Sequence, residues 1–272
     1  MTPDPHAARA PAEGADFQAQ ATAANSDDDG SRLRACEEEL AALRKEQALV
    51  SHGIAHDLRA PLRAIDGFAA MLEAHAGDTL DDAGRDYLER IRSAGKRMAS
   101  LIDGLQALSR ASHDPINPGN ADASLMAEWA LAELRDAEPA RAVEAEVQPG
   151  IQVHADERQL KVLFEQLLHN AWKFSSGADA VRIAVGAERH GDRVTIHVRD
   201  QGSGFDPRHA ERAFEPFQRL HGPDEGGGHG LGLAIARRIA TRMGGHVRVD
   251  AVPGEGCTFH VELPAGGGPQ GT

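Results

Sequence analysis

Two modules of different class are predicted by this sequence: an all-α helical hairpin, which pairs with a second copy into a dimeric four-helix bundle, and after it an α/β sandwich. Three observations carry the prediction. Apolar residues recur at alternating three- and four-residue steps over Leu33, Cys36, Leu40, Leu43, Gln47, Val50 and Ile54, the seam of a coiled coil. A second such series runs through Tyr87, Ile91, Ala94, Met98, Leu101, Leu105 and Leu108, after a turn near Ala76 to Asp82. Beyond residue 122, helical periodicity over about 122–137, 155–173 and 231–243 alternates with period-two runs such as Val181, Ile183, Val185 and Val194, Ile196, Val198, then Val247, Val249 and Phe259, Val261, Leu263.

Taken in order, residues 1–30 are rich in Ala, Pro, Gly, Asp and Ser without period, and are expected to be a disordered tail. Residues 31–112 form the coiled coil and hairpin. Within them the seam shifts to Leu58, Leu62, Ile65 and Leu72, and this stutter, with Pro61, interrupts regular packing near residues 54–62. Residues 113–121, with two prolines, read as a linker, 122–265 as the α/β module and 266–272 as a second disordered tail. Cys36 falls on the seam, where a parallel dimer would bring two thiols together; a small core residue is the favoured reading.

Charge narrows the function. The 272 residues carry 29 basic and 42 acidic side chains, a formal net charge of -13, with no basic run or basic-aromatic stripe, so nucleic acid is excluded as a partner. The acid excess is uneven: residues 1–150 hold most of it, whereas residues 151–272, at 14 basic against 15 acidic, are nearly neutral. Two distant cysteines, Cys36 and Cys257, fit a reducing compartment, and no apolar run is long enough to span a bilayer; a cytoplasmic protein is expected.

His56 lies two residues from both Ile54 and Leu58, hence about 200° around the helix from each, and is expected to face solvent. An exposed neutral imidazole is a good nucleophile, and Asp57 beside it is able to hold its tautomer or take its ring proton. By themselves the two residues are better read as a surface histidine next to a solvated acid. His52, four residues before His56, would complete a metal pair, but no third ligand is suitably placed.

The second module offers separated pieces of a nucleotide site. Gln166, Asn170 and Lys173 share one face of the helix ending LLHNAWKFS; an amide oxygen suits magnesium and an ammonium suits phosphate. Asp200 ends the strand VTIHVRD and, when ionised, only accepts hydrogen bonds, which fits the amino group of adenine. Gly202 and Gly204 follow it. Gly228, Gly230, Leu231 and Gly232 lead into a helix whose free N–H groups and dipole attract phosphate. This loop is neither a Walker loop nor a dinucleotide fingerprint, because no G-K-[ST] follows it and its glycine spacing is wrong.

The segment SHGIAHDLRAPL, residues 51–62, resembles the H box of bacterial sensor histidine kinases, and NAWKF (170–174), DQGSG (200–204), FEPFQR (214–219) and GHGLGL (228–233) resemble, in order, the N, first glycine, F and second glycine boxes of their ATP-binding domain. That domain belongs to the GHKL (Bergerat) type, shared with gyrase, heat-shock chaperone and mismatch-repair ATPases. The resemblance covers about residues 45–264. It implies ATP and Mg2+ as cofactors, His56 as phosphoacceptor, Asp57 as general base, and Asn170, with Gln166 in place of a family asparagine, on magnesium. By the same mapping Lys173 and Arg219 touch phosphates, Asp200 reads adenine, Thr258 lies near it, and Phe214 and Phe217 anchor a lid over about 203–229 that is expected to be disordered without nucleotide. Ala60 stands where the family often carries a Thr or Asn that positions a dephosphorylating water, which alanine cannot do. The implied partners are a second copy of the chain, the receiver domain of a response regulator, and an upstream sensor or partner protein. The rival readings are a scaffold that binds without transferring phosphate and a GHKL ATPase of another kind; the intact boxes oppose the first and the H box the second.

Overall fold

The structure, a computed structural model, describes residues 13–77, 79–175, 180–220 and 228–267. The chain divides into two units, residues 1–50 and 51–272, each with its own internal contacts.

Helix α1 (Glu13–Ala76) is 64 residues long and contains Pro61. It corrects the tail expected over 1–30: from residue 13 the backbone is helical, in keeping with a stretch that holds Ala15, Ala19, Ala21, Ala23 and Ala24 and no proline, and alanine has the highest helix propensity. Residues 1–12 lie outside the described residues. Of the expected seam, Cys36, Leu40, Leu43 and Ile54 are exposed. Pro61 has no N–H to donate to the carbonyl of Asp57, yet the helix continues through it.

Helix α2 (Asp82–His113) starts at the N-cap Asp81, whose carboxylate accepts from the Gly84 N–H at 2.8 Å. It folds back on α1 along a seam of small and medium residues: Ala55, Leu62 and Ala69 on α1, and Leu88, Gly95 and Ile102 on α2, are buried, and both series step by seven. This differs from the expected seam. The larger apolar residues Leu58, Ile65, Leu72, Ile91, Met98 and Leu105 also step by seven, but are 44–48% exposed on a neighbouring face. Small side chains let the two helices approach closely, and the bulkier ones are left for another surface. Across the hairpin Arg59 donates to Asp103 at 2.5 Å and to Gln106 at 2.7 Å, and Arg92 pairs with Glu73.

Residues 114–118 join the hairpin to the α/β module, which begins earlier than expected, at strand β1 (Gly119–Asp122). Helix α3 (Ala123–Ala137), strands β2 (Val143–Val147) and β3 (Gln152–Ala155), helix α4 (Glu157–Phe174), strands β4 (Val181–His190) and β5 (Arg193–Asp200), helix α5 (Gly232–Arg242) and strands β6 (His246–Val252) and β7 (Gly256–Pro264) follow. β1 and β3 pair as a small antiparallel ribbon; the other five form a mixed sheet in the order β2-β4-β5-β7-β6, parallel only between β2 and β4. Strands β1 and β3, four residues each, are too short for period-two runs to announce them, whereas β2 carries one in Val143, Ala145 and Val147. The tail expected from 266 is tied at its start, since Gly266 donates to the Gln152 carbonyl at 3.3 Å; residues 268–272 lie outside the described residues.

Asp122 and Asp156 cap α3 and α4 with side-chain hydrogen bonds of 3.0 to 3.2 Å. One apolar face of α4 (Leu160, Leu163, Phe164, Leu167, Leu168, Trp172) and of α5 (Ile235, Ile239) buries the inner face of the sheet, where Ile196, Val198, Val261 and Leu263 are fully enclosed. At about 25 cal/mol per Å2 such side chains stabilise by about 1.5–3 kcal/mol each. Alternation along β5 puts Val194, Ile196 and Val198 inward, and Asp200 with them.

Candidate functional site

A cavity of about 460 Å3 opens where α4, the end of β5, β7, the 203–220 segment and α5 converge, and α2 of the hairpin closes one side. From α4 it is lined by Gln166, His169, Asn170 and Lys173, from the glycine-rich stretch by Gly228, His229, Gly230, Leu231 and Gly232, and from α2 by Ser100, Asp103, Gly104, Ala107 and Arg110.

Asp200, 4% exposed, forms the base of this cavity. Its Oδ1 accepts the backbone N–H of Gly202 at 2.9 Å and of Cys257 at 3.2 Å. Burial raises the carboxyl above its ordinary value, and these two hydrogen bonds pull it back. Gly202 belongs to this arrangement through its backbone and does not line the cavity; a Cβ there would meet the Phe174 carbonyl oxygen at 2.7 Å. Gly204 lines it, with φ +56° and a Cβ position only 2.0 Å from the Val252 carbonyl oxygen, so glycine is required.

Gln166 and Asn170 converge on the start of α5: a Cβ at Gly232 would lie 3.0 Å from Gln166 Oε1 and 3.8 Å from Asn170 Nδ2. Two amides at this place suit a hard divalent cation, which an amide oxygen is able to bind. Helix α5 has no side-chain cap at Leu231, unlike α2, α3 and α4, which leaves its first N–H groups open to an anion. Lys173 sits over the Phe174 ring at 4.6 Å, and burial followed by the charge of Arg219 lowers its ammonium. Burial and Lys173 likewise lower His169.

In the segment expected to be a disordered lid, 203–220 carries 3-10 turns at Pro207–His209 and Arg212–Phe214; residues 221–227 lie outside the described residues. Phe214 is buried, as an anchor should be. Phe217 corrects its expected role: it is 55% exposed, with φ 65°, and its backbone N–H donates to the Gly230 carbonyl at 2.8 Å. Cys257 and Phe259 line the cavity, and Thr258 lines an adjoining depression that Asp200 and Cys257 also border. Burial and then the Asp200 charge push the Cys257 thiol up to about 12.

His56 and Asp57 do not line the cavity. Both side chains are exposed on α1, 74% and 85%, and His56 Nδ1 lies 3.3 Å from Asp57 Oδ1, which leaves Nε2 free. The residues that sequence reasoning missed are Cys257, His169, His229 and the whole α2 wall. His229 lay inside a quoted box; the α2 residues have no local signal, because only the tertiary fold brings them to the cavity.

The chain thus carries a solvent-facing histidine on a helical hairpin joined to an α/β sandwich whose cavity holds the buried carboxylate of Asp200 and the uncapped, glycine-rich start of α5. Residues 46–114 match the His Kinase A (phospho-acceptor) domain and residues 155–267 the family of histidine kinase-, DNA gyrase B- and HSP90-like ATPases. Cyanobacterial phytochrome A of Nostoc sp. is 35% identical over 212 residues, 78% of this chain and 28% of that protein. Histidine protein kinase DivJ of Caulobacter vibrioides is 31% identical over 229 residues, 82% of this chain and 38% of that protein. The crystal structure of full-length ShkA in complex with AMPPNP superposes with TM-score 0.58 at 27% identity, covering 80% of this chain and 46% of that one. The chain belongs to the two-component sensor histidine kinases and carries their core, a phosphoacceptor domain followed by an ATP-binding domain. It spans about a third of the length of these curated relatives. Among the described residues no helix is long and apolar enough to cross a membrane.

Proposed function

We propose that this chain autophosphorylates His56 from ATP and passes the phosphoryl group to an aspartate on the receiver domain of a response regulator. The observation that carries the reading is the pairing of His56 with Asp57 on an exposed helix face, in one chain with the Asp200 cavity. His56 Nε2 attacks the γ-phosphorus; a P–N bond forms, the bond to the bridging oxygen breaks, ADP leaves, and the Nδ1 proton passes to Asp57 as general base. Asp200 Oδ2, free of backbone partners, accepts from the adenine amino group. Lys173, Arg219 and the N–H groups from Gly228 to Gly232 hold the phosphates. Asn170, with Gln166, would hold Mg2+, which when bound neutralises phosphate charge. Since His56 does not line the cavity, the ATP-binding domain leaves α2 and approaches a phosphoacceptor helix, its own or its partner's, swinging on residues 114–118.

The exposed apolar face of Leu58, Ile65, Leu72, Ile91, Met98 and Leu105 supports a homodimer through a four-helix bundle. The input arrives from an upstream sensor or partner protein through α1; the greater length of the relatives supports this. Use of ATP and two free thiols, Cys36 and Cys257, support a cytoplasmic location. The phosphorylated protein, freed of nucleotide and mixed with candidate receiver domains, tests the relay: label is expected to move to one receiver within seconds to minutes, and label that stays put with every receiver overturns it.

A further inference from the structure

The phosphate end of the cavity gathers basic side chains from three parts of the fold. Lys173 comes from α4, Arg219 from the 203–220 segment and His229 from the glycine-rich stretch, all three lining the same cavity. Arg97 of α2 also acts on His229. Among the described residues no carboxylate pairs with His229 or Lys173. Arg110 adds a further positive charge to the α2 wall, and His169 faces the cavity from α4. Among the described residues the two carboxylates on the lining are both engaged: Asp103 binds Arg59, and Asp200 accepts two backbone N–H groups at the other end. A half-buried imidazole among three fixed positive charges is held neutral, and a triphosphate brought into that cluster reverses the local sign.

We infer that His229 is a phosphate-binding side chain that gains a proton when ATP binds, so that nucleotide binding to this kinase is proton-coupled. The inference rests on the nucleotide reading of the cavity and extends it to a residue whose charge is set by the ligand. In the free protein burial, then Arg219, Lys173 and Arg97, lower the imidazole below its ordinary value near 6.5, and it is neutral at pH 7.5. Beside the phosphates the imidazolium is stabilised and the value rises. Binding therefore takes up a proton in the window between the two values, and ATP affinity increases as pH falls through it, by at most about tenfold per pH unit for one coupled proton. Below the free-protein value both states are protonated and the dependence stops.

Calorimetric titration of the full chain with Mg-ATP at pH 7.5, in two buffers of different ionisation enthalpy, reads the proton number directly. The wild type is expected to take up a fraction of a proton; H229Q is expected to bind more weakly with that uptake removed, and H229R, a cation that does not titrate, to bind without uptake and with a Kd flat in pH beyond the contribution of ATP itself. Equal uptake in wild type and both variants, or none in the wild type, overturns the inference. Absence of ATP binding to every form, the wild type included, overturns the nucleotide reading instead. If H229Q fails to fold, H229R and the wild-type pH profile still decide.

Discussion

The backbone N–H of Cys257, on β7, donates to Oδ1 of Asp200 at the end of β5, across the ladder that joins the two strands. Together with the Gly202 N–H it places both backbone donors on one carboxylate oxygen and leaves the other to face the cavity. Asp200→Asn separates recognition from stability. The amide oxygen keeps both backbone hydrogen bonds, but its NH2 meets the adenine amino group donor to donor. ATP affinity is expected to fall by about 10- to 100-fold, the cost of about 1–3 kcal/mol for a buried mismatched donor. The melting temperature is expected to hold or rise, because the variant no longer buries a charge. Calorimetry and thermal unfolding check the two halves, and a loss of several degrees in melting temperature contradicts the account.

The same carboxyl predicts a pH dependence. Its value in the folded protein is raised above the ordinary 3.8, so the folded state holds this proton more tightly than the unfolded one. Its contribution to stability is therefore favourable below 3.8 and is lost as pH rises through the raised value. Adenine binding has the opposite need and is lost as pH falls through that same value. Wild-type ATP affinity is expected to decline on acidification past that value, with the decline attributable to Asp200 missing in Asp200→Asn.

Gly95 sits mid-helix on α2, buried, and a Cβ there would lie 3.8 Å from Leu62 Cδ1, an ordinary contact. Alanine is the better helix former by about 1 kcal/mol, so Gly95→Ala is expected to stabilise the hairpin by about 0.5–1 kcal/mol. Leu62→Ala opposite it is expected to cost about 2–4 kcal/mol by leaving a cavity. Denaturant unfolding of both variants checks the pair of signs.

Met98 and Ile91 belong to the exposed apolar face of the hairpin. Ile91→Glu with Met98→Glu is expected to give a folded monomer by light scattering that still binds ATP, since neither residue lines the cavity. A dimer of unchanged strength would move the interface elsewhere.

Much of this was legible from residue order. The period-two run of β5 put Asp200 on the inner face with Val194, Ile196 and Val198, and the face shared by Gln166, Asn170 and Lys173 followed from helical spacing. The failures have physical causes. In the hairpin the apolar period marks a coiled-coil seam but does not say which residues meet within the chain: close packing of α1 on α2 selects Ala55, Ala69 and Gly95 and leaves the large residues exposed. On β7 the resemblance pointed to Thr258, and only the structure shows that its neighbour Cys257 lines the cavity and donates to Asp200. The wall formed by Asp103, Gly104 and Arg110 arises from tertiary approach alone: Gly104 is close enough to Leu231 that a Cβ would come within 2.7 Å of its Cδ1. Arg242 donates to the carbonyls of Ala111 at 3.0 Å and Asp114 at 2.7 Å, a contact between residues far apart in the chain.

The central claim, that ATP bound in the Asp200 cavity phosphorylates His56, is tested most directly by incubating the protein with Mg2+ and γ-labelled ATP and mapping the label. The account predicts protein-bound label that survives alkali, is lost in acid, maps to residues 51–62, and is absent in His56→Gln. Label of the same amount in His56→Gln would contradict it.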